Sequence, residues 1–229
     1  MSPVWGAASA TQTEAAQEFD TAAFSTPTTD DDPAAGLDLH GTGRLALRQI
    51  DALAADIDAD PATSGFRGFV LSFIVTQPSE VKALLDDATA GGARVVKPAK
   101  KQPFGEFTAV YQAPDGAVWK LAAATNKDTG PASRPPKPTE TASYVGVTKP
   151  KASKTFYEAI GMSADRDYSD KFIDFTITDG VCRLGLLPRK ALAKDTGVDE
   201  HGDGFSAVLL THTTASREEI DPLLSAAAA

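Results

Sequence analysis

One cysteine, Cys182, stands in 229 residues. A single thiol excludes an internal disulfide framework and any cysteine-rich zinc site. Positive charge is also scarce: 22 Lys and Arg face 31 Asp and Glu, a formal net charge of −9. That balance argues against nucleic acid, whose phosphates are bound by cationic side chains that release condensed counterions. No apolar run approaches the ~20 residues that span a bilayer, which argues against membrane insertion. The first ten residues lack the basic start and apolar stretch of a secretory signal. His40, His201 and His212 show no i, i+4 spacing and no HExxH occurs, so each reads as a loop or strand residue. Gly41-Thr42-Gly43 lacks the rest of a GxGxxG phosphate loop and reads as a hairpin turn. Cys182 has no neighbouring base and reads as a structural thiol. These absences leave an acidic α/β protein of a reduced, cytoplasmic compartment, with one large domain or two small ones.

What the chain does contain is a repeat. Shifting the sequence by 139 residues aligns Gly43–Ala90 with Cys182–Ala229 without gaps, and 16 of the 48 positions are identical. Identical pairs include Arg44/Arg183, Leu45/Leu184, Asp56/Asp195, Gly65/Gly204, Phe66/Phe205 and Leu84/Leu223. Between the copies, NKDTGPASRPPKPTET (126–141) carries four prolines and reads as an extended, solvated linker with nothing to bury. The expected division is a domain at 1–125, a Pro-rich linker at 126–141, and a second domain at 142–229. The stretch 26–36, with Asp30, Asp31 and Asp32, reads as an exposed hairpin loop whose like charges are solvated.

Periodicity supplies the elements. Gly68–Thr76 is a near-continuous β-branched and aromatic run, the pattern of a buried strand. The following segment to Ala90 places Val81, Leu84, Leu85 and Ala88 on one helical face, with Ser79 as a cap and Gly91-Gly92 as the stop. Strands are expected at 94–97, 107–112 and 118–123, the last two joined by the turn Ala113-Pro114-Asp115-Gly116. The second copy opens alike, with a strand at 143–148, a helix at 151–160, and a hairpin of 171–178 with 181–187 across Asp179-Gly180. A later strand is expected at 208–213. At the N-terminus, a short strand at 5–9 precedes an Ala-rich helix at 13–24. Each copy reads as two consecutive βαβββ units, and the fold class is α+β.

Gly92-Ala93, Lys97-Pro98, Phe104-Gly105, Pro114-Asp115-Gly116 and Trp119 resemble the closing module of the vicinal oxygen chelate superfamily. Val145-Gly146-Val147, Phe156-Tyr157-Glu158 and Gly161-Met162 resemble its opening module. That group includes glyoxalase I, bleomycin-resistance proteins and extradiol dioxygenases. The resemblance implies paired βαβββ modules forming cupped mixed sheets, here two tandem glyoxalase-like domains with the second incomplete. In the enzymes of the group the cup holds a divalent metal on His, Glu or Gln side chains, which polarises substrate oxygens.

Matched position by position, the expected metal ligands fall on Phe66 and Phe205, on Lys120, near Trp5 and Tyr144, and near Leu47 and Leu186. None is a suitable donor, and an ammonium at Lys120 repels a cation. No metal and no other cofactor is therefore expected. Phe66, Phe104, Tyr111 and Lys120 of the first copy, with Tyr144, Phe172 and Phe205 of the second, are the candidate lining of the cup. They would either surround a small apolar or aromatic ligand, as in a binding protein of the bleomycin-resistance kind, or simply fill the cup. The alternatives are a metal-dependent lyase, isomerase or dioxygenase with other ligands, and a degenerate fold kept for protein association. The offset leaves residues 91–125 without a counterpart, so the second cup is expected to be open, completed by strand exchange in a homodimer, or truncated.

Overall fold

The computed structural model describes residues 4–10, 13–26, 28–29, 35–103, 105–176, 182–211, 214 and 216–228. Phe104, His212, the Asp30–Asp32 run and the turn Asp179-Gly180 fall outside them. Four successive modules follow one another. The first is β1 (Val4–Ala10), α1 (Thr13–Phe24), β2 (Thr28–Thr29), β3 (Ala35–Asp38) and β4 (Arg44–Gln49), followed by the short α2 (Ile50–Ala55). The second is β5 (Phe69–Val75), α3 (Pro78–Ala90), β6 (Arg94–Lys101), β7 (Phe107–Gln112) and β8 (Val118–Ala123). The third is β9 (Glu140–Val147), α4 (Pro150–Ala159), β10 (Ala164–Asp167), β11 (Ile173–Thr176) and β12 (Cys182–Pro188), followed by α5 (Arg189–Thr196). The fourth holds β13 (Leu209–Thr211) and α6 (Ile220–Ala228).

Two sheets result. The larger runs β10-β11-β12-β9-β5-β8-β7-β6 and takes four strands from each side of the Pro-rich segment. Its centre is the antiparallel β5–β9 pair, with Val70 opposite Tyr144 and Ser72 opposite Ala142. The smaller runs β13-β1-β4-β3-β2. The second module thus shares its sheet with the third, and the first with the opening of the fourth, whereas the sequence led us to expect neighbouring units of one copy to pair. Strand order along the chain specifies a module; which modules meet is set by the faces they bury.

Alternation along β5 separates two environments. Phe69, Leu71, Phe73 and Val75 join Phe19, Phe24, Val81, Leu84, Tyr111, Trp119 and the apolar residues of β3 and β4 in the main core. This is the face covered by α1 and α3. Val70 points the other way, toward Phe66, Val110, Val118, Leu192 and Ala193. That second face is the cup of the resemblance, and α5 lies in one half of it. The equivalent helix α2 likewise buries Leu53 and Ala54, the repeat partners of Leu192 and Ala193. Neither short helix was evident from periodicity, because each offers only one buried Leu-Ala pair.

The segment after β8 differs from the solvated linker expected. Pro136 and Pro138 are buried. Gln77, 3% exposed, accepts from the Thr129 amide at 2.7 Å and the Gly130 amide at 3.2 Å, and donates to the Gly130 carbonyl at 3.0 Å. Glu80 accepts from the Ser133 hydroxyl at 2.7 Å and from the Thr76 amide at 3.0 Å. The helix begins at Pro78 with Gln77, not Ser79, as its N-cap residue, and the Ser79 amide donates to Asp128 Oδ1 at 2.8 Å. Hydrogen bonds to Gln77 and Glu80 hold this strap together with its two buried prolines, and composition alone reports neither. Gln77→Ala should cost about 1–3 kcal/mol by stranding these groups. Urea unfolding measures it, and a change below about 0.5 kcal/mol would show the strap to be incidental.

Candidate functional site

Beside α5, the cup face of the third module carries a row of aromatic rings. On β12, Gly185 sits opposite Tyr144 of β9 and Asp174 of β11. A methyl group on Gly185 would strike the Tyr144 ring and lie 3.3 Å from Phe172. The missing side chain is what lets two aromatic rings settle over the strand. Tyr144 and Phe172 have ring centroids 6.4 Å apart, and Tyr168 stacks on the outer side of Phe172 at 6.3 Å. Tyr168 is 60% exposed, so the row of rings ends at solvent. Burial, aided by the nearby Glu140 carboxylate, pushes the Tyr144 phenol up to about 12, so it stays a neutral hydrogen-bond donor over the physiological range.

An ion-pair network braces this shelf. Asp174, 1% exposed, receives the Arg166 Nε at 2.9 Å and the Arg166 amide at 3.0 Å, with Arg183 Nη1 at 3.4 Å. Arg183 also pairs with Glu140 at 2.8 Å and Asp165 at 2.9 Å. Burial opposes the Arg183 charge, but these partners outweigh it and hold its pKa up. The hydrogen bond to Asp174 does the same for Arg166, whose guanidinium lies 5.7 Å from the Phe172 ring centre. This cluster was not singled out in the sequence, although one Asp inside the apolar strand KFIDFTIT was its visible mark.

The other half of the cup is filled by the chain itself. Leu192, Ala193 and Thr196 of α5 are buried. Lys120 on β8 reaches Asp195 at 2.8 Å and Glu106 at 4.0 Å. Lys97 donates to the carbonyls of Lys194, at 3.2 Å, and Asp195, at the C-terminal end of α5, where a cation is favoured by the helix dipole. Arg189 at the other end donates to the carbonyls of Phe66, Glu200 and Gly202.

The sequence candidates therefore separate. Tyr144 and Phe172 meet at the shelf, and Lys120 lies on the same face, tied to α5. Phe66 is buried beneath Arg189. Tyr111 is fully buried on the opposite face, against Phe19 and Trp119, because its parity along β7 follows Phe107 and Ala109. Phe205 is half-buried in the segment that pairs with residues 62–66. Phe104 lies outside the described residues. Of the positions matched to metal ligands, Leu47 and Leu186 belong to the helix-side cores, so the cup-facing neighbours on β12 are Gly185 and Leu187. Among the described residues, no three His, Cys, Asp or Glu side chains converge as a metal cage. Lys120 is paired with Asp195 and, as an ammonium, offers a cation no donor. A void between the two sheets, lined by Leu39, Leu45, Leu71, Ser72, Trp119, Thr141 and Ala142, measures about 10 Å³, room for one water at most. His40 is half-buried with Nε2 3.1 Å from the Phe24 carbonyl, while His201 is exposed and pairs with Asp199.

Paired βαβββ modules and a mixed eight-stranded sheet define the vicinal oxygen chelate fold, and this chain has it. Glyoxalase I from Zea mays superposes on 98% of this chain and 77% of its own length, with a TM-score of 0.57 at 17% identity. A glyoxalase/bleomycin resistance protein/dioxygenase family enzyme from Burkholderia phytofirmans matches 52% of this chain and 94% of its own, at 22% identity and TM-score 0.44. A glyoxalase-related enzyme from Fulvimarina pelagi matches 59% and 95%, at 22% and 0.47. No family model matches the sequence and no curated protein does. Among the described residues, no helix is long and apolar enough to cross a membrane.

Proposed function

We propose that this chain is a glyoxalase-like binding protein that works without a metal and takes a small aromatic or apolar molecule onto the Tyr144–Phe172 shelf. One observation carries the reading: the missing side chain at Gly185 lets the Tyr144 and Phe172 rings lie together over β12, in a row that Tyr168 carries out to solvent. Tyr144 offers a neutral hydroxyl and a ring face, and Phe172 and Tyr168 extend the stacking surface toward solvent. The braced Arg166 fixes the orientation of Phe172 from behind. A metal-dependent lyase, isomerase or dioxygenase would need donors on this face in place of Tyr144, Ser72 and Lys120.

A thermal-shift screen of aromatic and apolar metabolites, run with chelator and with added Zn, Ni, Mn or Fe, tests this. A binder at about 100 times its Kd stabilises the fold by ~2.7 kcal/mol. The expected result is a ligand shift of Tm that chelator leaves intact. Tyr144→Ala and Phe172→Ala should each weaken binding about tenfold or more, since a lost ring contact is worth about 1–2 kcal/mol. A shift that requires metal, or stoichiometric metal in purified protein, would overturn the proposal.

A further inference from the structure

Resting on the Tyr144–Phe172 shelf as the binding site, we infer that its ligand is an organic cation, an amine with an aromatic or apolar body whose ammonium group lies over the Tyr144 ring. Parity along the strands decides which charges share the face of the rings. Val145 and Val147 of β9 pack on the helix side with Cys182, Leu184 and Leu186 of β12 and with Ile173 and Phe175 of β11. Glu140, Arg183 and Asp174 alternate with them and stand on the same side as Tyr144 and Phe172. On β8, Trp119 and Leu121 lie in the main core, which turns Lys120 to the cup, where it meets Asp195 and Glu106.

Carboxylates outnumber cations around these rings. Glu140, Asp165 and Asp174 surround Arg183 and Arg166, while Asp195 and Glu106 share Lys120. The cations are committed: Arg183 is divided among three carboxylates and Lys120 between two, and Lys97 is turned to the carbonyls at the end of α5. The carboxylates keep spare capacity. The side chains of Asp165 and Asp195 are 50% and 46% exposed, and each meets its partners through Oδ2, which leaves the lone pairs of Oδ1 for solvent or a ligand. The Tyr144 hydroxyl feels Glu140, Asp174 and Asp195 against the Arg166 guanidinium. Phe172 already carries Arg166 over its ring and Phe66 carries Arg189, but among the described residues no Lys or Arg lies over Tyr144. A ring face bordered by carboxylates and free of a cation is the arrangement that takes an ammonium group. The net charge of −9 on the chain favours the approach of a cation and opposes that of an anion.

Calorimetric titration with three probes that share one ring system separates the charge from the shelf: naphthylmethylammonium, naphthylmethanol and naphthoate. On the wild type the ammonium should bind about tenfold more tightly than the alcohol at low salt, and naphthoate should bind most weakly. That advantage should shrink at about 1 M salt, where the Debye length falls to ~3 Å. Asp195→Asn and Glu140→Gln, which keep the size of each side chain, should each cut the ammonium-to-alcohol ratio about threefold or more, with circular dichroism reporting that they fold. Phe172→Ala should weaken all three probes together. Equal affinity for the ammonium and the alcohol, a preference for naphthoate, or an advantage that neither carboxylate variant reduces would overturn the cationic ligand and leave the shelf standing. Binding of none of the probes, or an alcohol affinity that Phe172→Ala leaves unchanged, would remove the shelf and the cationic ligand with it.

Discussion

Replacing Gly204 with alanine should lower the unfolding free energy by about 3–5 kcal/mol, seen as a fall in denaturant midpoint at constant m-value. Gly204 has φ +88°, and a Cβ there would overlap the Ala62 carbonyl. The same holds at Gly65, with φ +64°, against the His201 carbonyl. The two glycines are partners at the 139-residue offset, and so are Ala62 and His201. The segments pair head to tail: Ser64 and Asp203 exchange amide bonds of 3.0 and 3.1 Å, Phe66 N donates to His201 O at 3.0 Å, and Phe205 N to Ala62 O at 3.1 Å. A side chain would therefore add a left-handed backbone penalty to a steric one and part these strands. Gly130→Ala is the control, since a methyl there meets nothing within 4 Å, and it should stay within about 0.5 kcal/mol of wild type. Equal effects at Gly204 and Gly130 would refute the pairing as a source of stability.

Asp20→Asn should raise stability at pH 8 by on the order of 2 kcal/mol, because the substitution removes a buried charge and keeps its shape. Asp20 is 5% exposed in the main core, and burial, then repulsion from Asp115, pushes its pKa well up. Asp115 is itself raised, by burial, with the Ala117 amide and Arg67 opposing. The Tyr111 hydroxyl beside them has no hydrogen-bond partner among the described residues. A carboxyl whose pKa is higher folded than unfolded contributes its full stability below the unfolded value, ~3.9. That contribution is lost as pH rises through the folded value. The wild type should therefore weaken relative to Asp20→Asn between mildly acidic pH and pH 8, and the two should converge as pH falls. Thermal unfolding across that range checks it, and a gain independent of pH would contradict the assignment of charge to Asp20.

Much of this was legible in the chain, and the exceptions have physical reasons. The α3 face and the strands of the second module follow from periodicity, because each buries one side of an element and therefore repeats at its pitch. The pairing of the Gly-Phe steps marked one place where the copies touch by backbone, beside the β5–β9 and β1–β13 ladders. The side of the sheet taken by Tyr111 was misjudged from residue type; parity with Phe107 and Ala109 would have placed it. The shelf was half legible: Tyr144 and Phe172 were named, but Gly185 carries its information as an absent side chain. The Arg166–Asp174–Arg183 network joins three strands, and no linear spacing reports such a junction. Lys120 was named from the sequence, whereas its partner Asp195 depends on a helix too short to announce itself.

The sheet shared across residues 126–141 also sets an order of events during synthesis. β5 cannot complete its surroundings until β9 has been made, some 70 residues later. A ribosome adding roughly 5–20 residues per second leaves the edge of β5 waiting for several seconds. In that interval a run of Val, Leu, Phe and Ile waits first for β8 and then for β9, the condition under which strands find partners in other chains. Yield in the cell should depend on how well that interval is guarded.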